Sequence, residues 1–264
     1  MLPKRSLGLT GIDVSCLGLG TVKFGRNQGV KYPTGFDLPD DAAVVALLDL
    51  ARRLGINLID TAPAYGTSEQ RLGKLLVDRG QWVLCSKVGE EFIGGKSTYD
   101  FSGSHVQQSV ERSLRHLNTD YLDIVLVHSN GNDSSIITET DCFATLQRLK
   151  EKGLVRAIGM SSKTVAGGLL ALDLSDVVMV TCNPGEREDL PVIARAHDLG
   201  KGVLVKKALA SGHLGSAAGT DAVLESIGFV LGQPGVTSII VGTINPAHLQ
   251  HNVDCAEKAL AARE

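Results

Sequence analysis

Eight short β-branched or Leu-rich runs constrain this chain more than any other feature. They fall at residues 16–20, 57–60, 82–86, 122–127, 154–159, 177–181, 202–206 and 236–241. Amphipathic segments lie between them. The clearest is residues 40–54, where Val44, Leu47, Leu48, Ala51 and Leu54 share one face and Gly55 ends the helix. Residues 140–152, 189–199, 221–231 and 246–261 read the same way. Residues 163–172 read as a weaker helix because Gly167-Gly168 sits inside. Ser104 reads as the N-cap of a helix that buries Val106, Val110, Leu114 and Leu117. Runs without polar alternation belong to parallel strands covered on both faces. Strict alternation leaves a closed barrel or an open doubly wound sheet. Eight units favour closure, and 264 residues match the roughly 250 that a single-domain α/β (β/α)8 TIM barrel needs. Residues 6–9 and 13–15, flanking Thr10-Gly11, read as an N-terminal β-hairpin capping the barrel bottom.

Composition narrows the partners. The formal net charge is -3, and the basic residues are scattered, so neither nucleic acid nor an anionic membrane is an expected partner. Five cysteines at wide spacings suit a reducing compartment better than a disulfide framework. No apolar segment has the length of a signal core or a membrane span. A cytoplasmic protein, monomeric or weakly oligomeric, is expected.

In such barrels the chemistry sits where strands end. The second run ends in Ile59-Asp60-Thr61-Ala62-Pro63-Ala64-Tyr65-Gly66, the third in Ser86-Lys87, the fourth in Val127-His128-Ser129-Asn130. Asp60, Tyr65, Lys87 and His128 therefore share one rim. A free phenol titrates at about 10, so Tyr65 is protonated at neutral pH but is a sluggish acid. A Lys87 ammonium beside it favours the anion, and an Asp60 carboxylate holds that ammonium charged and oriented. A His128 nitrogen can hold a carbonyl oxygen next to the phenol. Each residue alone has an ordinary structural explanation. Together they suit proton transfer to a carbonyl oxygen while another group adds to its carbon.

Further motifs run colinearly along the chain. They are Glu69 with Leu72-Gly73, Ser109-Val110-Glu111-Arg112-Ser113-Leu114 leading to Thr119-Asp120-Tyr121-Leu122-Asp123, Val155-Arg156-Ala157-Ile158-Gly159 with Ser161-Ser162, and Ile240-Val241-Gly242-Thr243 through Asn252. With the strand-end residues they make the sequence resemble the aldo-keto reductase superfamily from Ser6 to about Ala259. The resemblance implies a catalytic tetrad of Asp60, Tyr65, Lys87 and His128. It also implies NADP(H), which passes hydride to an aldehyde or ketone. Gly20 and Thr21 are then expected near the cofactor, Ser161 and Ser162 near its carboxamide, and Leu209, Ser211, Gly212 and Leu214 along the pyrophosphate. Gly242, Thr243, Asn245, His248 and Asn252 are expected at the adenosine end.

Departures from the family pattern bear on the cofactor. Lys206 stands where many members stack an aromatic ring, Met179 where a Gln is common and Ser162 where an Asn is usual. Gly242 and His248 replace a Lys and an Arg used for the 2′-phosphate, which keeps NAD(H) open beside NADP(H). Two alternatives to a carbonyl reductase remain open. One is an aldose or alcohol dehydrogenase running in the oxidative direction. The other is a cofactor-binding redox-sensor subunit with slow turnover. Phe24, Phe92 and Phe101, in loops at the barrel mouth, are expected to line an apolar substrate pocket for a small carbonyl compound. Residues 89–97 read as a flexible loop rather than a phosphate loop. His248 and His251 lie one helical turn apart with no third ligand at hand, so no metal site is expected.

Overall fold

The computed structural model describes residues 2–30, 32–213 and 221–263. Strands β1 (Lys4–Ser6) and β2 (Asp13–Ser15) pair antiparallel, with Lys4 opposite Ser15. The chain then alternates through β3 (Leu17–Gly20), α1 (Val22–Gly25), α2 (Asp41–Arg53), β4 (Leu58–Asp60), α3 (Ser68–Leu75) and β5 (Val83–Val88). A hairpin of β6 (Glu90–Ile93) and β7 (Lys96–Tyr99) precedes α4 (Gly103–His116), β8 (Leu122–His128), α5 (Asp133–Glu139), α6 (Cys142–Glu151) and β9 (Val155–Ser161). The remainder is α7 (Val165–Leu174), β10 (Val177–Thr181), α8 (Leu190–Asp198), β11 (Gly202–Lys206), α9 (Ala222–Leu231), β12 (Ser238–Val241) and α10 (Pro246–Ala261).

Strands β3, β4, β5, β8, β9, β10, β11 and β12 close a parallel barrel in that order, with β12 pairing back to β3. The eight-strand barrel expected from the apolar runs is therefore present. Its register brings Gly20 level with Asp60, His128 with Ser161 and Thr181 with Lys206. The polar strand ends consequently share one rim. Alternation along each strand separates two apolar layers. Leu58, Cys85, Ile124, Leu126, Val177, Met179 and Leu204 fill the barrel interior, and Leu7, Ile12 and Val14 from the N-terminal hairpin join them. The larger layer lies between strands and helices and includes Leu47, Ile59, Val110, Leu146 and Leu249.

Local chemistry fixes the helix starts. Asp40 accepts a hydrogen bond from the Ala43 amide, and Asn245 accepts one from the Ala247 amide. The cap of α4 is Ser102, whose hydroxyl accepts from the His105 amide, and not Ser104, which lies within the first turn. The glycine pair that weakens α7 in isolation has a packing cause. A Cβ on Gly167 would lie 2.0 Å from the Asp133 Cβ, so a larger residue would displace α5.

Residues 89–97 do not form a flexible loop. Glu90 pairs with Tyr99 and Ile93 with Lys96 across a Gly94-Gly95 turn, whose φ values of 59° and 80° fit the type I′ geometry that right-twisted hairpins favour. Among the described residues, no helix is long and apolar enough to cross a membrane.

Candidate active site

Tyr65 reaches the barrel mouth on the 3₁₀ turn Pro63–Tyr65, which starts three residues after β4 ends. A close backbone approach sets that turn. A Cβ on Gly66, whose φ is 62°, would meet the Gly25 carbonyl oxygen at 2.1 Å, so only glycine lets the turn dock on α1. Behind the phenol, the buried Lys87 Nζ donates to Asp60 Oδ1 at 2.6 Å, to the Thr61 carbonyl at 2.9 Å and to Tyr65 Oη at 3.1 Å. Tyr65 Oη also donates to Asp60 Oδ2 at 3.3 Å. The His128 ring stands edge-on to the phenol with centroids 6.2 Å apart. All four residues named from the strand ends converge.

Their electrostatics refine the expectation for the phenol. Burial and the Asp60 charge raise the Tyr65 pKa, and together they outweigh the lowering effect of Lys87. Tyr65 is therefore held as the neutral acid. The Lys87 ammonium lies where it would stabilise a phenolate. Burial alone would lower the Lys87 pKa, but Asp60 and Tyr65 reverse that and hold it above its ordinary value. Lys87 stays charged throughout the neutral range.

Glu90 is a site residue that sequence reasoning missed. It starts β6, is buried, and places Oε2 2.9 Å from His128 Nδ1. Despite the cost of burial, His128 and Ser97 hold its carboxyl down at about 2. Burial lowers the His128 pKa although Glu90 opposes this, so the ring is neutral at pH 7. The contact is poorly aligned for a hydrogen bond, and Nδ1 has no other partner among the described residues, so Glu90 acts on the ring through its charge. The signal for Glu90 was its place next to a Gly after the third strand, hidden because the hairpin reads as polar loop.

A cleft of about 1340 Å³ opens over the rim. Of the residues expected to contact a cofactor, Gly20, Thr21, Ser161, Ser162, Lys206, Leu209, Ser211, Gly212, Gly242, Thr243, His248 and Asn252 line it. Asn245 does not, because its side chain caps α10. Leu214 lies outside the described residues. Ser162 Oγ is buried without a hydrogen-bond partner and lies on the side facing Gly168 of α7. Lys206 Nζ donates to Ser161 Oγ at 2.8 Å and to the Ser162 carbonyl at 2.6 Å. Burial and the neighbouring Lys207 lower its pKa to about 7. These observations fit an extended ligand with a polar amide at one end, as a nicotinamide dinucleotide is.

The predicted aromatic pocket is not there. Phe24 is fully buried in the core between strands and helices. Phe101 is buried beneath Gly89, where a Cβ would come within 2.3 Å of its ring. Phe92 sits under the Arg26 guanidinium, 3.5 Å from the ring centroid. None of the three lines the cleft, whose mouth near Tyr65 instead carries Lys23, Arg26, Tyr32, Glu90, Ser97 and Tyr99. Loop position suggested exposure, but the loops fold inward and bury their phenylalanines.

Comparison with known proteins accords with this geometry. Residues 16–226 match the model of the aldo/keto reductase family. L-galactose dehydrogenase of Arabidopsis thaliana is 33% identical over 80% of this chain, spanning 66% of its own length. The NADH-specific methylglyoxal reductase of Escherichia coli is 33% identical over 61% of this chain and 52% of its own. A Pseudomonas aeruginosa protein solved as an aldo-keto reductase superposes with a TM-score of 0.88 at 56% identity, covering 97% of this chain and 95% of that one. The holo form of the Bacillus halodurans aldo-keto reductase AKR11C1 gives a TM-score of 0.82 at 25% identity, over 97% and 91% of the two chains. The chain belongs to the aldo/keto reductase family.

Proposed function

We propose that this protein is a nicotinamide-dependent oxidoreductase that reduces the carbonyl of small polar aldehydes and ketones, with Tyr65 as general acid. The observation that carries the reading is the Asp60–Lys87–Tyr65 chain of hydrogen bonds, which opens on a cleft long enough for a dinucleotide. The bound cofactor supplies hydride to the carbonyl carbon. Tyr65 Oη gives its proton to the carbonyl oxygen, and Lys87, 3.1 Å away, stabilises the phenolate left behind. Asp60 keeps Lys87 charged and aimed. Neutral His128, edge-on to the phenol, hydrogen-bonds the substrate oxygen beside Tyr65.

The charged mouth favours a hydroxylated substrate over an aromatic one. Lys23, Arg26, Glu90 and Ser97 surround the mouth with polar groups that can take a substrate hydroxyl as a further hydrogen-bond partner. The activities named for the relatives, on L-galactose and methylglyoxal, are compatible with such a substrate.

NADPH is the cofactor proposed, on family grounds. NADH is a second reading with its own support. Gly242 and His248, which line the cleft, stand where family members carry a Lys and an Arg, and residues 208–220 contain no basic residue except His213. A 2′-phosphate would lack a fixed cation there. Titrating the protein with NADPH and with NADH, followed by nucleotide fluorescence, tests both readings. Saturable binding of either supports the reaction class, and the ratio of dissociation constants assigns the cofactor. Binding of neither refutes the proposal.

A further inference from the structure

Three side chains outside the proton-transfer group converge on one point. His251 and Cys255 are four residues apart on α10, so both project from one helix face. Asp221 comes from the start of α9, which packs against α10. Its Oδ1 caps α9 by accepting from the Val223 and Leu224 amides, and Oδ2 turns toward His251 and Cys255. Cys255 Sγ lies 3.6 Å from His251 Nε2 and 3.6 Å from Asp221 Oδ2, and His251 Nε2 lies 3.3 Å from Asp221 Oδ2.

These separations can be compared with a tetrahedral zinc ion. Bond lengths of about 2.3 Å to sulfur, about 2.05 Å to nitrogen and about 2.0 Å to oxygen give edges of about 3.5 Å, about 3.5 Å and about 3.3 Å. The three observed edges agree with them to about 0.1 Å.

A redox or nucleophilic triad is the competing explanation, and the geometry disfavours it. In such a relay the carboxylate and the thiol meet opposite nitrogens of the imidazole. Here both meet Nε2, as ligands around a common centre do. The sulfur ligand argues against magnesium and calcium, which take oxygen.

We infer that Asp221, His251 and Cys255 form a binding site for a zinc-class divalent ion, with the fourth coordination position open to water. The expectation of no metal site came from asking for a third ligand beside His248 and His251. The ligands instead skip His248 and recruit Asp221 from another helix. The ion would clasp the start of α9 to α10. His251 lines the same cleft as His248 and Asn252, so the clasp borders the end of the cleft proposed for adenosine. The site stands apart from the proposed reaction, and its test does not depend on that reaction.

The experiment uses full-length protein freed of metal with a chelator and titrated with Zn²⁺ against a chromophoric zinc indicator. One equivalent should bind and raise the melting temperature. Co²⁺ in its place should give a thiolate-to-cobalt charge-transfer absorption and the intense visible bands of a tetrahedral ion. Groups that only orient a metal ligand are worth about 10- to 100-fold in affinity, so His251→Ala should weaken binding by more than about 100-fold. Asp221→Asn keeps the helix cap and should weaken it as well. Cys255→Ser should abolish the cobalt charge-transfer band. His251 is half exposed, so His251→Ala remains a valid test if the buried Cys255→Ser variant fails to fold. Absence of stoichiometric binding, or binding unchanged in His251→Ala, overturns the inference.

Discussion

Replacing Asp60 with Asn tests the electrostatic account of the site at its most buried point. The Lys87 ammonium and the Asp60 carboxylate are 2.6 Å apart, with side chains only 1% and 4% exposed. Breaking a buried ion pair by removing one partner costs about 3–5 kcal/mol, because the other charge is left uncompensated. For a chain of this size each kcal/mol moves the melting temperature by about 2–4 °C, so a drop of about 6–20 °C is expected at neutral pH. The pH dependence is more diagnostic.

In the wild type, Asp60 holds the Lys87 pKa above its unfolded value, so the pair's stabilisation is fully present across the neutral range and is lost only at extreme alkalinity. In Asp60→Asn, burial becomes the dominant influence and the Lys87 pKa falls below its unfolded value. Between those two values the unfolded state binds more protons, so the variant gains stability as pH rises, with a slope of at most about 1.4 kcal/mol per pH unit. Thermal melts of both proteins at pH 6 and pH 9 read this directly. The deficit should be largest at pH 6 and shrink at pH 9. A variant that melts with the wild type at both pH values, or whose deficit grows with pH, would refute the role assigned to Asp60.

Two other substitutions probe the proton and the cofactor separately. Glu90→Gln removes the carboxylate that raises the His128 pKa against burial, so the acidic limb of the kcat/KM profile should move to lower pH; an unmoved limb would deny Glu90 its positioning role. Lys206 loses its charge as pH rises through about 7, so affinity for the oxidised, positively charged nicotinamide should increase over that range, while affinity for the reduced form changes less. Lys206→Met should flatten this dependence, and equilibrium titrations at pH 6 and pH 8 would detect failure to do so.

The barrel was legible because parallel strands buried on both faces leave continuous apolar runs, and those runs match the eight strands to within two residues at each end. The tetrad was legible for a related reason. Once the strand ends are known, the residues there must share a rim, so Asp60, Tyr65, Lys87 and His128 could be assembled without coordinates. The β6–β7 hairpin was not legible. Its strands are short and its burial partial, so Glu-Glu-Phe-Ile and Lys-Ser-Thr-Tyr carry no clean alternation. With the hairpin went Glu90. Phe24 and Phe101 were misjudged because chain position in a loop says nothing about which way the loop folds. Phe101 is covered because Gly89 admits its ring, and Phe24 enters the core from α1, both properties of packing in three dimensions.

On the proposed mechanism Tyr65 supplies the proton while Lys87 and Asp60 prepare it. The most direct measurement is a single turnover. NADPH-loaded protein, or NADH-loaded protein if that cofactor binds more tightly, is mixed rapidly with a small hydroxyaldehyde such as glyceraldehyde while reduced-nicotinamide absorbance is recorded for the wild type and for Tyr65→Phe. Rapid cofactor oxidation is predicted in the wild type. In Tyr65→Phe the predicted result is loss of that oxidation with cofactor affinity nearly unchanged. Oxidation at equal rates in both proteins, or in neither, would contradict the account.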